Sequence, residues 1–221
     1  MNDDDPGLRL RLRGLRVFEG ELPVFDTDQA PTHPAELFLQ WLLGAIDAGV
    51  REPHTMTLCT VDADGRPNSR VLLLKGLADG RFEFATSRAS RKGRELAATP
   101  AAAANFYWPE MGRQVRLRGY VRDGGPAEAA RDFLARAEES RAESLLGRQS
   151  EVLDDPADLD VALTEAREQV AGDPELVPEH WTLYQLVPDQ VEFWQANRER
   201  RHVRLRYELV ESRWRRVLLW P

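Results

Sequence analysis

The stretch Ser69–Lys92 concentrates side chains that hold anions. It reads Ser69-Arg70-Val71-Leu72-Leu73-Leu74-Lys75, a turn at Asp79-Gly80, then Arg81-Phe82-Glu83-Phe84-Ala85-Thr86, and finally Ser90-Arg91-Lys92-Gly93-Arg94. Arginine offers a planar fork, lysine a point charge and serine a small donor, a set suited to a dianion. No acidic residue of the second apolar run sits close enough in sequence to neutralise Ser90-Arg91-Lys92. A short helix over Lys92–Ala98 would add free backbone N–H groups at its start. These residues predict a site for a phosphorylated cofactor or substrate, carried on a β-hairpin.

Several elements must position that cluster. Met1–Pro31 has little periodicity and reads as an N-terminal arm, leaving one domain over residues 32–221. Pro34 suits a helix start, and Phe38, Trp41, Leu42, Ala45 and Ile46 follow at the spacing of one helical face. Strand-like runs come next at Thr55–Asp62, Ser69–Lys75, Arg81–Thr86, Ala101–Trp108 and Arg113–Val121, with a hairpin signal at Asp64-Gly65. Pro126–Leu146 and Asp158–Val170 are rich in Ala, Glu and Arg and predict helices. Strand character returns at Trp181–Leu186, Gln190–Trp194, His202–Glu208 and Trp214–Leu219. The expected fold class is mainly β with flanking helices, an antiparallel barrel or sandwich rather than a doubly wound sheet.

Composition narrows the function classes. The chain has 221 residues and a formal net charge of −7, which argues against general nucleic-acid binding. No apolar run approaches the roughly 18 residues of a membrane span. The acidic start Met-Asn-Asp-Asp-Asp-Pro lacks the apolar core of a signal peptide, so a cytoplasmic location is the expectation. Cys59 is the single cysteine, which excludes an intrachain disulfide and a cysteine-based metal cluster. His33, His54, His180 and His202 are dispersed, and no metal site is expected. His202 sits in a cationic segment and reads either as a surface histidine on a strand or as a neutral partner for a substrate oxygen. Trp194 ends an alternating apolar run and reads as core. Gln149-Ser150 reads as a polar loop able to donate hydrogen bonds.

Seven motifs occur together in order. They are Arg70–Lys75, Thr86, Ser90-Arg91-Lys92, Arg113-Gln114-Val115, Arg148-Gln149-Ser150, Glu192-Phe193-Trp194, and Arg200-Arg201-His202 with Arg204. In these residues the chain resembles the pyridoxamine 5′-phosphate oxidase family of FMN-dependent enzymes, from about Pro34 to Pro221. The resemblance implies an FMN-binding split β-barrel and a homodimer with FMN at the subunit interface. It implies FMN contacts from Arg70, Lys75, Thr86, Ser90, Arg91 and Lys92, completed by Gln114, Gln149, Ser150, Trp194 and Arg204, some from the partner subunit. It implies a substrate phosphate held by Lys75, Arg136 and Ser140. Arg200 and His202 would face the substrate ring at its reacting carbon. The implied reaction moves a hydride from C4′ of pyridoxamine or pyridoxine 5′-phosphate to flavin N5. Molecular oxygen then reoxidises the flavin and yields hydrogen peroxide.

Two positions depart from that pattern. Asp132 stands where the family usually has a tyrosine, and a carboxylate there repels a phosphate. Arg201 stands where an apolar residue is usual, and strand alternation would point it away from Arg200 and His202. Arg51-Glu52-Pro53, Lys92–Leu96, Tyr107-Trp108 and Arg148–Glu151 also resemble the related phenazine-biosynthesis flavin oxidases, which act on a tricyclic carboxylate. Lys75 favours the phosphate substrate and Asp132 the ring acid. A non-catalytic flavin or pyridoxal phosphate binder is the third possibility, and retention of Arg200 and His202 speaks against it.

Overall fold

The computed structural model describes residues 6–221; the acidic Met1–Asp5 lies outside the described residues. In chain order the elements are α1 (Pro6–Arg13), α2 (Pro34–Asp47), β1 (Thr55–Val61), β2 (Pro67–Leu73), β3 (Gly76–Ala78), β4 (Arg81–Ser87), α3 (Arg91–Ala98) and β5 (Ala101–Trp108). They continue with β6 (Arg113–Asp123), α4 (Pro126–Leu134), α5 (Glu138–Leu145), α6 (Pro156–Gly172), β7 (Trp181–Gln195), β8 (Val203–Val210) and β9 (Arg213–Leu218). Among the described residues the strands form one sheet in the order β2-β1-β5-β6-β7-β4-β3, with β8 and β9 branching from β7. The pairings are antiparallel. The architecture is therefore the expected mainly β, antiparallel one with flanking helices.

Strand β7 organises the sheet. Its first half pairs with β4, from Ser87↔Trp181 to Phe82↔Leu186, and its second half with β8, from Gln190↔Glu208 to Gln195↔Val203. Strand β6 runs along nearly all of it. The sequence predicts two strands here because Pro188 cannot donate to a ladder. The structure instead absorbs Pro188 in a register shift between Arg118 and Gly119. Gly119 is needed there, since a Cβ at that position would lie 2.0 Å from the Val187 carbonyl oxygen.

Helix α2 covers the sheet. His33 caps it, its Nδ1 accepting the Ala35 N–H at 3.2 Å, and Pro34 occupies the first turn. Its buried face is Leu37, Phe38, Trp41 and Ala45. Ile46, expected on that face, is 51% exposed because the helix is rotated toward Leu37. The Phe38 ring lies 4.7 Å from Phe82 and 4.8 Å from Phe106, and all three are fully buried. Truncating Phe38 to alanine removes this hub, and urea unfolding should show a loss of about 3–5 kcal/mol. A loss below about 1 kcal/mol would mean that the cluster does not hold the helix to the sheet.

Two other expectations change. Residues 126–146 form two helices rather than one, with the break at Ala135–Ala137. The local sequence is a good helix former, so packing decides: Phe133 is buried on Trp181, and Arg136 lies 4.6 Å over the same indole. The arm is helical over Pro6–Arg13 and irregular after it. Its later part packs on the body. Phe25 meets Trp41 at 5.0 Å, and the Pro31 carbonyl accepts from Tyr207 Oη at 2.7 Å.

Candidate cofactor and substrate site

The anion cluster forms, but not on one hairpin. Strand β2 pairs with β1, whereas β4 pairs with β3 and β7, so Arg70 and Thr86 come from different ribbons. Helix α3 joins them. Ser90 is its N-cap, accepting the Gly93 N–H at 3.2 Å and donating to the Ser87 carbonyl at 2.7 Å. A Cβ on Gly93 would sit 2.4 Å from the Arg88 carbonyl oxygen, so glycine lets the helix start press against the preceding loop. Lys92 is thereby carried inward. It is 6% exposed, and its Nζ reaches Thr86 Oγ1 at 3.0 Å, Ser90 Oγ at 3.3 Å and Gln149 Oε1 at 2.6 Å.

Sequence reasoning missed Glu95. One helical turn after Arg91, it bonds Arg91 Nε at 3.0 Å, Arg70 Nη2 at 3.3 Å and the Thr60 hydroxyl at 2.5 Å. The expectation concerned only the acidic residues of the second apolar run and did not consider Glu95 on the helix itself, for which the i,i+4 spacing from Arg91 was the available signal. Burial alone would raise the Glu95 carboxyl, but the Thr60 hydroxyl, Arg91 and Arg70 hold it below its ordinary value. Lys92 has no such direct partner. Burial, helped by the charge of Arg70 and only partly opposed by Glu95, lowers its ammonium to about 8. Three cations against one carboxylate leave an excess that fits a phosphate dianion. A cavity of about 380 Å³ opens there, lined by Arg70, Arg91, Lys92, Gln149 and Ser150.

A larger cavity of about 760 Å³ adjoins it, sharing Val71, Leu72 and Gln149. Its walls include Leu146, Leu153, Leu163 and Trp181, with Lys75 and Arg136 as polar anchors. Asp132 does not point away: its Oδ1 lies 3.6 Å from Lys75 Nζ, and its Oδ2 accepts from Trp181 Nε1 at 3.0 Å. Arg136 donates to Ser144 Oγ at 3.2 Å. Ser144 lines the cavity, whereas Ser140, the expected contact, is not among the lining residues.

The remaining site residues lie at the far end of β7. Gln114 is opposite Trp194 and Trp194 opposite Arg204, so the three form a row across β6, β7 and β8. Trp194 is only half-buried, not core. Its ring lies 4.9 Å from His202 and 5.8 Å from Phe18 of the arm. The Asn197 N–H donates to His202 Nδ1 at 3.0 Å, leaving Nε2 to face outward chemistry. Arg200 occupies a turn at φ 64°, and Arg201 and His202 precede β8, so strand alternation does not govern the three. The buried Glu192, quoted in a motif but given no role from the sequence, grips Arg204 at 2.8 Å and Arg116 at 2.5 Å. Thr86 pairs with Thr182, twelve residues before Trp194 on β7. That separation is roughly 40 Å along an extended strand. One chain thus carries the two groups of candidate residues at opposite ends of its longest strand.

Comparison with known proteins agrees over most of the chain. Residues 42–170 match the family model described as pyridoxamine 5′-phosphate oxidase, and residues 181–221 that of the pyridoxine 5′-phosphate oxidase C-terminal dimerisation region. The chain is 44% identical over 195 residues to the pyridoxine/pyridoxamine 5′-phosphate oxidase of Ectopseudomonas mendocina, covering 87% of this chain and 91% of that protein. It is also 44% identical over 214 residues to the enzyme of the same name from Thermosynechococcus vestitus, covering 97% of each. The crystal structure of PhzG from Burkholderia lata, in complex with tetrahydrophenazine-1-carboxylic acid, superposes with a TM-score of 0.86 at 34% identity. It covers 91% of this chain and 100% of that one. A pyridoxamine 5′-phosphate oxidase-related, FMN binding protein from Nostoc punctiforme shares the fold at a TM-score of 0.70 and 18% identity, over 85% of this chain and 97% of that one. The chain belongs to the pyridoxamine 5′-phosphate oxidase family and is an oxidase of the split-barrel fold.

Proposed function

We propose that this chain binds FMN and oxidises pyridoxamine or pyridoxine 5′-phosphate to pyridoxal 5′-phosphate. The observation that carries the reading is the buried, carboxylate-free Lys92 beside Arg70 and Arg91, a cradle for a phosphate monoester tail. Thr86, Ser90, Gln149 and Ser150 supply its neutral contacts. FMN held there would supply two-electron redox chemistry between the substrate and dioxygen. For the alcohol, substrate and O2 give aldehyde and H2O2; for the amine, water enters and ammonia leaves as well.

The chain's own residues position the substrate. Lys75 and Arg136 anchor its anionic end in the larger cavity. Gln114, Trp194 and Arg204 complete the flavin pocket, with Glu192 fixing the Arg204 fork. Arg200 orients the substrate ring, and His202 Nε2 holds or receives the proton at the reacting carbon's substituent. FMN cannot span the length of β7, so the two half-sites come from two copies in a homodimer. A second reading, oxidation of an aromatic ring acid, is favoured by the pairing of Lys75 with Asp132.

Purification followed by heat release and chromatography of the pigment tests the cofactor, and FMN is expected. Pyridoxamine 5′-phosphate should then bleach the bound flavin without oxygen, and air should restore the colour with release of peroxide. Recovery of FAD or of no flavin would defeat the cofactor assignment. Bound FMN that a dihydrophenazine carboxylate bleaches but no amine or alcohol does would favour the second reading, and FMN that none of them bleaches would leave a binding protein.

A further inference from the structure

The two cations of the larger cavity are not equivalent. Lys75 Nζ lies 3.6 Å from Asp132 Oδ1. The other Asp132 oxygen accepts the Trp181 indole N–H at 3.0 Å, and the Asp132 side chain is 12% exposed. Turning the carboxylate away from Lys75 would leave that indole N–H unpaired against an apolar wall. The carboxylate is therefore held where it neutralises Lys75. Arg136 meets no carboxylate among the described ion pairs; it lies over Trp181 and donates to Ser144, and its Nε is buried without a hydrogen-bond partner. Arg148 is taken by Glu151 at 2.9 Å, and the exposed Glu143 and Asp158 line the same cavity, so these groups add no free cation. Within the anchor itself, Lys75 and Arg136 against Asp132 leave one positive charge at most.

Charge count then separates substrate classes. A phosphate monoester near neutral pH is largely a dianion, whereas an aromatic carboxylate is a monoanion. We propose that Asp132 is a specificity-determining residue: by neutralising Lys75 it weakens the subsite's hold on a phosphate dianion and opens it to aromatic monocarboxylates. This rests on the reading of the larger cavity as the substrate's anchor. The apolar walls supply what a flat ring acid without a phosphate needs for binding.

The test uses the FMN-loaded protein and two ligands that cannot be oxidised, 4-deoxypyridoxine 5′-phosphate and phenazine-1-carboxylate, titrated calorimetrically. Wild type should bind both. Asp132→Asn keeps an oxygen for the indole and removes the charge. It should tighten the phosphate ligand about tenfold, the scale of one charged hydrogen bond, and change phenazine-1-carboxylate less than about threefold. Equal effects on both ligands, no effect on either, or no binding of the carboxylate to wild type would overturn the proposal. The double variant Lys75→Met/Asp132→Asn gives a check that survives poor folding of the single one. It removes both charges at once, so phosphate affinity should stay within about threefold of wild type, and a tenfold loss would show that Lys75 was acting as a free cation. Equilibrium binding reads the ratio without turnover. Failure of pyridoxamine 5′-phosphate to bleach the flavin would thus count against the oxidase assignment, while the binding ratio alone judges Asp132.

Discussion

Lys92→Met should lose FMN, with the dissociation constant rising about 30- to 100-fold in a fluorescence-quenching titration. Methionine preserves the volume of the stem but removes the one ammonium aimed into the cradle without a carboxylate of its own. A hydrogen bond to a charged group contributes about 1.5–3 kcal/mol, and each 1.4 kcal/mol is tenfold in affinity. The proton linkage makes a second, opposite-signed test. The folded, ligand-free protein holds Lys92 at about 8, below its ordinary 10.5. Between those values the unfolded chain binds more protons than the folded one, so apo stability rises as pH climbs through that window. A phosphate dianion draws the ammonium back up, so FMN affinity is flat below pH 8 and falls above it. Lys92→Met should therefore melt higher than wild type at pH 7 without ligand, yet gain less from added FMN. Wild-type FMN affinity in the variant would remove Lys92 from the site.

Arg200→Ala and His202→Ala should each retain FMN and lower turnover about 10²–10⁴-fold, the usual cost of one positioned acid–base or charge contact. His202→Ala should lower kcat, because Nδ1 is already committed to Asn197 and only Nε2 is left to meet a substrate. Mixed dimers test the division of the site between two chains. If Arg70 acts in one subunit's cradle and His202 comes from the other, a dimer of one Arg70→Ala and one His202→Ala chain holds one doubly damaged site and one intact site. Mixing two nearly inactive variants should then restore activity. If mixing restores nothing while sedimentation shows exchanged dimers, both residues serve the same site from one chain. Wild-type rates in both variants would make Arg200 and His202 surface charge.

Much of the sheet was legible because its strands alternate in the ordinary way. Phe82 and Phe84 face the core from β4, and Val115 and Leu117 from β6, as period two requires. The misreadings share a physical cause. Pro188 forbids a ladder hydrogen bond locally, but a bulge at Asp189 that keeps β7 paired with β6 depends on Gly119, far back in the chain, and local sequence does not announce it. The break between α4 and α5 follows from Trp181, which lies far along the chain. In the site, Ser90–Lys92 could be read from charge and helix placement. Glu95 could have been found from the i,i+4 rule but was overlooked. Glu192 reads as a strand residue, and only folding places it between Arg116 and Arg204. That Ser144 rather than Ser140 lines the larger cavity follows from where α5 begins, which local sequence does not announce.

The pairing of β7 with strands made long before it also sets a timetable for synthesis. The cradle at Arg70 leaves the ribosome more than a hundred residues ahead of Arg204. At about 5–20 residues per second this is an interval of roughly 7–27 s. During it β4, with Phe82 and Phe84, lacks the strand that pairs with it on the β7 side. The nascent chain is then an open sheet edge with uncovered aromatic surface, the state most prone to non-native association. Because the second half-site arrives last, flavin cannot template the early steps and acts on a nearly finished chain. Chaperone supply during translation, more than riboflavin supply, should therefore limit the yield of soluble protein.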